Sequence, residues 1–238
     1  MARKTKKIIG IVVIGALLCG GYYLYNNANR LIVQTTERIA SKALGVKVDI
    51  GAIHLSLAQK RVTISGLKVA NPPGYTDKHI ITTDDIVIGL DTASRELIDF
   101  KNIDVTNSKV YFEMTTQGSN LNDLKKLANR KEQKESAGSK AIRVIVRQMV
   151  VDSSVIYPRI SFIKTDIPPI HMPAVHISNI GQKNVGTNAN EVIVRVMTQY
   201  LGSVQQAVSQ SGVLKQVPNL DGAKKTWDDA TGKLKSLF

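Results

Sequence analysis

Two alternating runs constrain this chain more than any other feature. Between Leu44 and Tyr75 the sequence reads LGVKVDIGAIHLSLAQKRVTISGLKVANPPGY. Val46, Val48 and Ile50 alternate with Lys47, Asp49 and Gly51, and a second alternating run begins at Arg61. Alternation with a period of two is the pattern of a sheet with one apolar face and one wet face. The runs follow shortly after a single hydrophobic segment. A sheet of that kind, held against a membrane, suits something greasy better than chemistry on a polar solute.

The hydrophobic segment is Ile8 to Tyr25, preceded by Arg3, Lys4, Lys6 and Lys7. At 1.5 Å per residue it is roughly 27 Å long, enough to span a hydrocarbon core. Tyr22, Tyr23 and Tyr25 fall where an aromatic belt belongs, and the positive-inside rule places the N-terminus in the cytoplasm and the chain after Asn26 on the other side. Two rivals share this layout. A cleavable signal peptide needs a small-x-small site, and none follows Gly21. A lipoprotein would be acylated at Cys19, but Leu18 stands where such signals carry a small residue. An uncleaved anchor is therefore expected, with Cys19 a small apolar residue of its helix. As Cys19 is the 1 cysteine, no disulfide can form within one chain.

Beyond the anchor, Arg30 to Leu44 reads as a helix with Leu31, Ile39 and Ala43 as its apolar part, closed by Gly45. Strands are predicted over Val46–Leu57 and Arg61–Ala70, joined by a tight turn at Ala58-Gln59-Lys60; Asn71-Pro72-Pro73-Gly74 then breaks the chain. A further strand covers Asp84–Asp91, opened by Asp84-Asp85. Lys101–Met114 is one bent strand or two short ones, with the bend at Asn107-Ser108. Gly118 to about Arg130 is a helix capped by Ser119 or Asn120, with Leu121, Leu124 and Leu127 as its stripe. Lys131–Lys140 is polar and small and reads as a loop. Ile142–Tyr157 returns to strand, and Ala174–Ile180 is the last strand. Asn188 with Glu191 starts a helix to about Gln210, striped by Ile193, Met197, Tyr200, Val204 and Ala207. A final amphipathic helix covers Asp221–Phe238, with Ala223, Trp227, Ala230, Leu234 and Leu237 on one side and four lysines over much of the rest. The chain thus divides into a basic tip and anchor at 1–29, one domain at 30–185, and amphipathic helices at 186–238.

The net charge is +13, yet aromatic residues are only 5%, too few for the stacking platforms of single-stranded nucleic-acid binding. The basic residues are spread along the chain rather than gathered on one helix, so no nucleic-acid partner is expected. A basic surface also suits anionic lipid headgroups. Catalytic signals are absent. His54, His79, His171 and His176 make no HExxH pattern, and no phosphate loop, GxGxxG or GxSxG occurs. Asp84-Asp85 and Asp228-Asp229 are adjacent, and neighbouring residues of a strand or helix point apart, so neither pair forms an acid–base couple. No enzyme activity, metal or cofactor is expected.

With these features in order, the chain resembles the N-terminal part of the AsmA family of Gram-negative envelope proteins. The resemblance rests on the basic start and anchor, Leu44-Gly45 closing a short helix, and V-x-V-x-x-G at Val46, Val48 and Gly51. It continues through ISGLKVANPPGY with Gly66, Asn71, Pro72 and Gly74, IVIGLD at Ile86–Asp91, GSNLNDL at Gly118–Leu124, and more loosely AVHISNIGQKN at Ala174–Asn184. It covers Met1 to Leu127 well and the rest loosely. It implies a single-pass inner-membrane protein with most of the chain in the periplasm. It also implies an α+β fold: a transmembrane helix, then a curled antiparallel sheet forming a half-barrel or groove, with flanking and C-terminal helices. Longer members are thought to carry phospholipid along such a groove. Seven or eight strands at 4.8 Å would make a groove of roughly 35 Å, too short to cross a periplasm.

Two functions follow. In the first, the apolar groove binds or helps move phospholipid acyl chains in envelope lipid homeostasis, lined by Val46, Val48, Ile50, Val62, Ile64, Ile86, Ile88, Leu90, Val110, Phe112, Val144 and Val146. The same residues would equally make a core covered by the chain's own helices. In the second, the chain is a non-enzymatic, membrane-anchored scaffold docking onto a larger lipid-transport or envelope complex or onto further copies of itself. The last helix, with Trp227, Leu234, Leu237 and Phe238, either lies on the membrane surface or packs against protein.

Overall fold

The computed structural model describes residues 28–56, 58–94, 96–135, 143–161, 167–181 and 186–213. The expected anchor at Ile8–Tyr25 and the expected helix carrying Trp227, Leu234, Leu237 and Phe238 fall outside the described residues. Among the described residues no helix is long and apolar enough to cross a membrane.

The chain is α+β. Helix α1 (Ala28–Leu44) leads into β1 (Val48–Asp49), β2 (Ala52–Ser56), β3 (Arg61–Ala70), β4 (His79–Ala93), β5 (Leu97–Thr115) and β6 (Gly118–Ser119). Then come α2 (Asn120–Glu135), β7 (Arg143–Val151), β8 (Val155–Ile160), β9 (Ile170–His171), β10 (Val175–Ile180), β11 (Thr187–Asn188) and α3 (Ala189–Gln210). The strands form one 11-stranded sheet with the main order β1-β3-β4-β5-β7-β10.

The sheet is mixed, which corrects the expected antiparallel arrangement. Both β7 and β8 lie parallel to β5, from Leu97↔Arg143 to Val105↔Val151 and from Lys109↔Val155 to Met114↔Ile160. The cause is α2. A helix between two paired strands carries the chain back to its starting end, so the next strand must run in the first one's direction. The single strand β5 spans both partners, and the predicted bend falls where they change: Asn107 has φ +55.

That bend belongs to a feature that crosses the whole sheet. Inward-facing residues along each strand step by three rather than two at one place: Ile50 to Ile53, Ile64 to Leu67, Thr83 to Ile86, Val105 to Ser108, and Val151 to Ser154. The steps are in register, through the pairs Ile53↔Ile64, Ile64↔Ile86, Ile86↔Val105 and Val105↔Val151. Each step puts two consecutive residues on the outer face, including Asp84-Asp85, Thr106-Asn107 and Asp152-Ser153, all exposed. An added residue bends and twists its strand, and a row of them creases the sheet. Hence Asp84-Asp85 does not open a strand; it sits at the crease inside β4. Likewise Val46–Leu57 is not one strand. Gly51 breaks it, donating its N–H to Ser65 O at 3.0 Å, and a Cβ there would lie 2.9 Å from that oxygen. A second crease crosses three strands, with steps from Phe100 to Ile103, Val146 to Met149, and Ile177 to Ile180.

All three helices contribute to one core with the sheet's apolar side. Ser41 Oγ accepts from Val48 N at 2.8 Å and Glu37 Oε1 from Ile50 N at 2.7 Å, so α1 runs antiparallel to the β1–β2 chain and starts near the β2–β3 turn. Its Leu31, expected on the apolar side, is 55% exposed. Helix α3 buries Val192, Tyr200, Leu201, Val204, Gln205 and Val208, a face turned from the predicted stripe; Ile193, Met197 and Ala207 are only partly buried. Helix α2 extends to Glu135, so the first part of the expected loop at Lys131–Lys140 is helical.

Candidate functional site

The apolar side of the sheet divides into a covered part and a partly open part. Eight of the twelve residues proposed as a groove lining are buried in the core: Val46, Val48, Ile50, Val62, Val110, Phe112, Val144 and Val146. Phe112 and Val110 are fully enclosed. The other four, Ile64, Ile86, Ile88 and Leu90, are only partly buried, and Phe100 and Ile103 of β5 join them. These last two were not foreseen, because the second crease hides their alternation.

Registry makes these six one strip. Ile64 faces Ile86, Ile88 faces Ile103, and Leu90 faces Phe100 across neighbouring strands. The helices pack on β1, β2, β5–β7, β10 and β11, and the strip runs over β3, β4 and the first part of β5. It measures roughly 13 Å along β4 and 10 Å across three strands. A strip of that size is a local patch and no conduit.

On the other side of the first crease the inward row turns polar. Thr83 Oγ1 and Ser108 Oγ are 3.0 Å apart, and Tyr200 of α3 donates its hydroxyl to Ser154 Oγ at 3.3 Å. Thr83, Ser108 and Ser154 are buried, so the row pins α3 to the sheet. Burial raises the pKa of Tyr200, which keeps its hydroxyl a donor.

The motifs that carry the family resemblance meet in a second polar cluster. Asn120 is fully buried; its Nδ2 donates to Asn71 Oδ1 at 3.0 Å and to Tyr111 O at 2.7 Å, and its Oδ1 accepts from Glu113 N at 3.0 Å. The buried Glu113 carboxylate accepts from Thr76 N at 2.7 Å, Thr76 Oγ1 at 2.8 Å and Asp77 N at 3.3 Å. Tyr75 donates its hydroxyl to Asp123 Oδ2 at 2.7 Å, and its pKa is raised by burial first and by that carboxylate second. Every partner here is within the fold, so the Asn71–Gly74 and Gly118–Leu124 motifs lock a loop onto the end of β5. Ser119 Oγ caps α2 by accepting from Asn122 N at 3.4 Å.

The outer face is polar. Arg147 donates Nε to Asp99 Oδ1 at 2.9 Å and Nη2 to Asp99 Oδ2 at 2.7 Å, and reaches Asp91 at 2.6 Å. The Asp99 hydrogen bond is the main reason the Arg147 pKa is raised. Asp85 accepts from Ser65 Oγ at 2.7 Å. His54, His171 and His176 are exposed, and burial lowers the pKa of His79. Among the described residues no group of three or more His, Cys, Asp or Glu could hold a metal. No protein-family model matches the chain, and no curated protein or solved structure matches it either.

Proposed function

We propose that this chain is a membrane-anchored, non-enzymatic envelope protein of AsmA type that shelters the acyl chains of one phospholipid. The observation that carries this is the registered strip of Ile64, Ile86, Ile88, Leu90, Phe100 and Ile103, partly exposed beside a core that the helices otherwise close. A contiguous apolar strip left partly uncovered on a folded domain is a surface that can take up apolar matter or a partner. The strip's size limits the cargo to one lipid, which suits holding or handing over better than long-range transport.

Native mass spectrometry of the full chain in mild detergent tests this. Phospholipid should co-purify, and Ile88→Asp with Leu90→Asp should remove it while circular dichroism stays unchanged. Phe112 cannot serve for this purpose, because aspartate at a fully buried site would unfold the chain. A folded, lipid-free wild-type chain would move the reading to a scaffold subunit. That second reading is favoured by the eight lining residues that are already buried in the core.

A further inference from the structure

We infer that one end of the sheet is a docking surface for an anionic bilayer, with the strip opening toward it. The end is formed by the β2–β3 turn, the β4–β5 turn and the start of β7. Leu90 N donates to Lys60 O and Arg143 N to Glu96 O, which ties the three together. The inference rests on the reading of Ile8–Tyr25 as the anchor.

Chain geometry brings this end to the membrane. Only Asn26 and Asn27 separate Tyr25 from the first residue of α1, Ala28, a reach of about 11 Å. Helix α1 runs from there toward Glu37, which is bonded to Ile50 N. From Glu37 back to Ala28 the helix covers roughly 13 Å. The strand covers the same distance from Ile50 to about His54. The turn at Ala58–Lys60 therefore projects at least as far toward the anchor as Ala28 does. Leu31, 55% exposed on the second turn of α1, lies at the same end.

Charge identifies the occupant. Arg30, Lys60, Arg61, Lys101 and Arg143 are exposed at this end, and among the described residues none of them forms an ion pair. Glu96 is the exposed acid beside them, whereas Asp91 and Asp99 are engaged by Arg147. At the far end Arg159 pairs with Asp77 and Lys126 with Asp123. Among the described residues Lys68, Lys78 and Lys109 are exposed there without an ion pair, so it is the chain geometry, and not charge alone, that selects the end near Lys60. Unpaired cations ringing an apolar strip match phosphate headgroups above acyl chains.

The test uses the full chain with Cys19→Ser, carrying an environment-sensitive dye at Gln59→Cys or, at the far end, Gln117→Cys. It is reconstituted in vesicles of phosphatidylcholine, with or without one-third phosphatidylglycerol, containing a lipid-borne quencher. Quenching should be strong at position 59 and weak at 117. It should rise with phosphatidylglycerol and fall again in 1 M salt, where the screening length is about 3 Å. Lys60→Gln, Arg61→Gln and Arg143→Gln together should abolish the phosphatidylglycerol effect, at roughly fivefold per residue in apparent affinity. Lys replacing Arg61 and Arg143 should keep it. Equal quenching at 59 and 117 in a chain that resists alkaline carbonate would overturn the docking surface and leave the anchor standing. So would quenching at 59 that ignores lipid charge. A chain washed off by carbonate loses the anchor, and the docking surface with it. Ile64→Asn with Ile86→Asn, uncharged changes at the strip's other end, should remove co-purifying lipid and leave the quenching unchanged, which separates this surface from lipid holding on the strip.

Discussion

At the scale of single residues, burial separates the two halves of the apolar face. Phe112→Ala should cost about 3–5 kcal/mol in urea unfolding, because it empties a fully enclosed site in the core. Ile88→Ala, at a partly buried site, should cost clearly less; equal losses would mean the strip is as closed as the core. His79 makes stability depend on pH. Burial, ahead of Lys78 and Lys68, lowers its pKa in the folded chain, with Asp49 opposing and Lys47 adding to the effect. The unfolded chain then binds the proton more readily, so stability is full above the ordinary value of 6.5 and is lost as pH falls from there through the lowered folded value. Urea midpoints at pH 7.5 and 5.5 should differ less in His79→Gln than in the parent. An unchanged difference would assign the loss to other groups. Both effects depend on which side chains the fold encloses, and alternation could not tell Ile88 from Phe112, since each sits on the apolar side of its strand.

At the scale of elements, the crease sets the shape. Asn107 holds φ +55 at the point where β5 changes partner from β7 to β8. Asn107→Val should destabilise by roughly 1–2 kcal/mol, because a β-branched side chain resists that conformation. Asn107→Gly should be tolerated. If valine proves harmless in thermal unfolding, the bend at Asn107 is not needed. Strand ends were legible where turn chemistry is local: Arg61–Ala70 stands as predicted, between a tight turn and Asn71-Pro72-Pro73-Gly74. The crease was legible only at Asn107, since a strand with one extra residue still looks alternating on either side. The stripe of α3 was placed only in part: Tyr200 and Val204 are buried as expected, but the buried face is turned toward Gln205, whose Nε2 donates to Asn122 Oδ1 at 2.5 Å. A polar residue made inward by a distant partner is invisible to hydrophobic periodicity.

At the scale of the whole molecule, Asn120 ties together segments far apart in sequence. Asn120→Ala should cost about 3 kcal/mol or more, as it leaves Asn71, Tyr111 O and Glu113 N without their partner in a buried place. Limited proteolysis should then cut within residues 71–78 sooner than in the parent; the same rate of cutting would deny Asn120 that role. The sequence by itself determined the α+β class, most strands, and the existence of one apolar and one polar side. These follow from periodicity, proline, glycine and capping, which act over a few residues. Tertiary structure alone decided that β7 and β8 run parallel to β5, since that depends on the return path through α2. It alone decided that eight of the twelve candidate lining residues are core while a strip from Ile64 to Ile103 stays partly open. An apolar side chain must leave water, but what it packs against is settled by where distant helices come to rest.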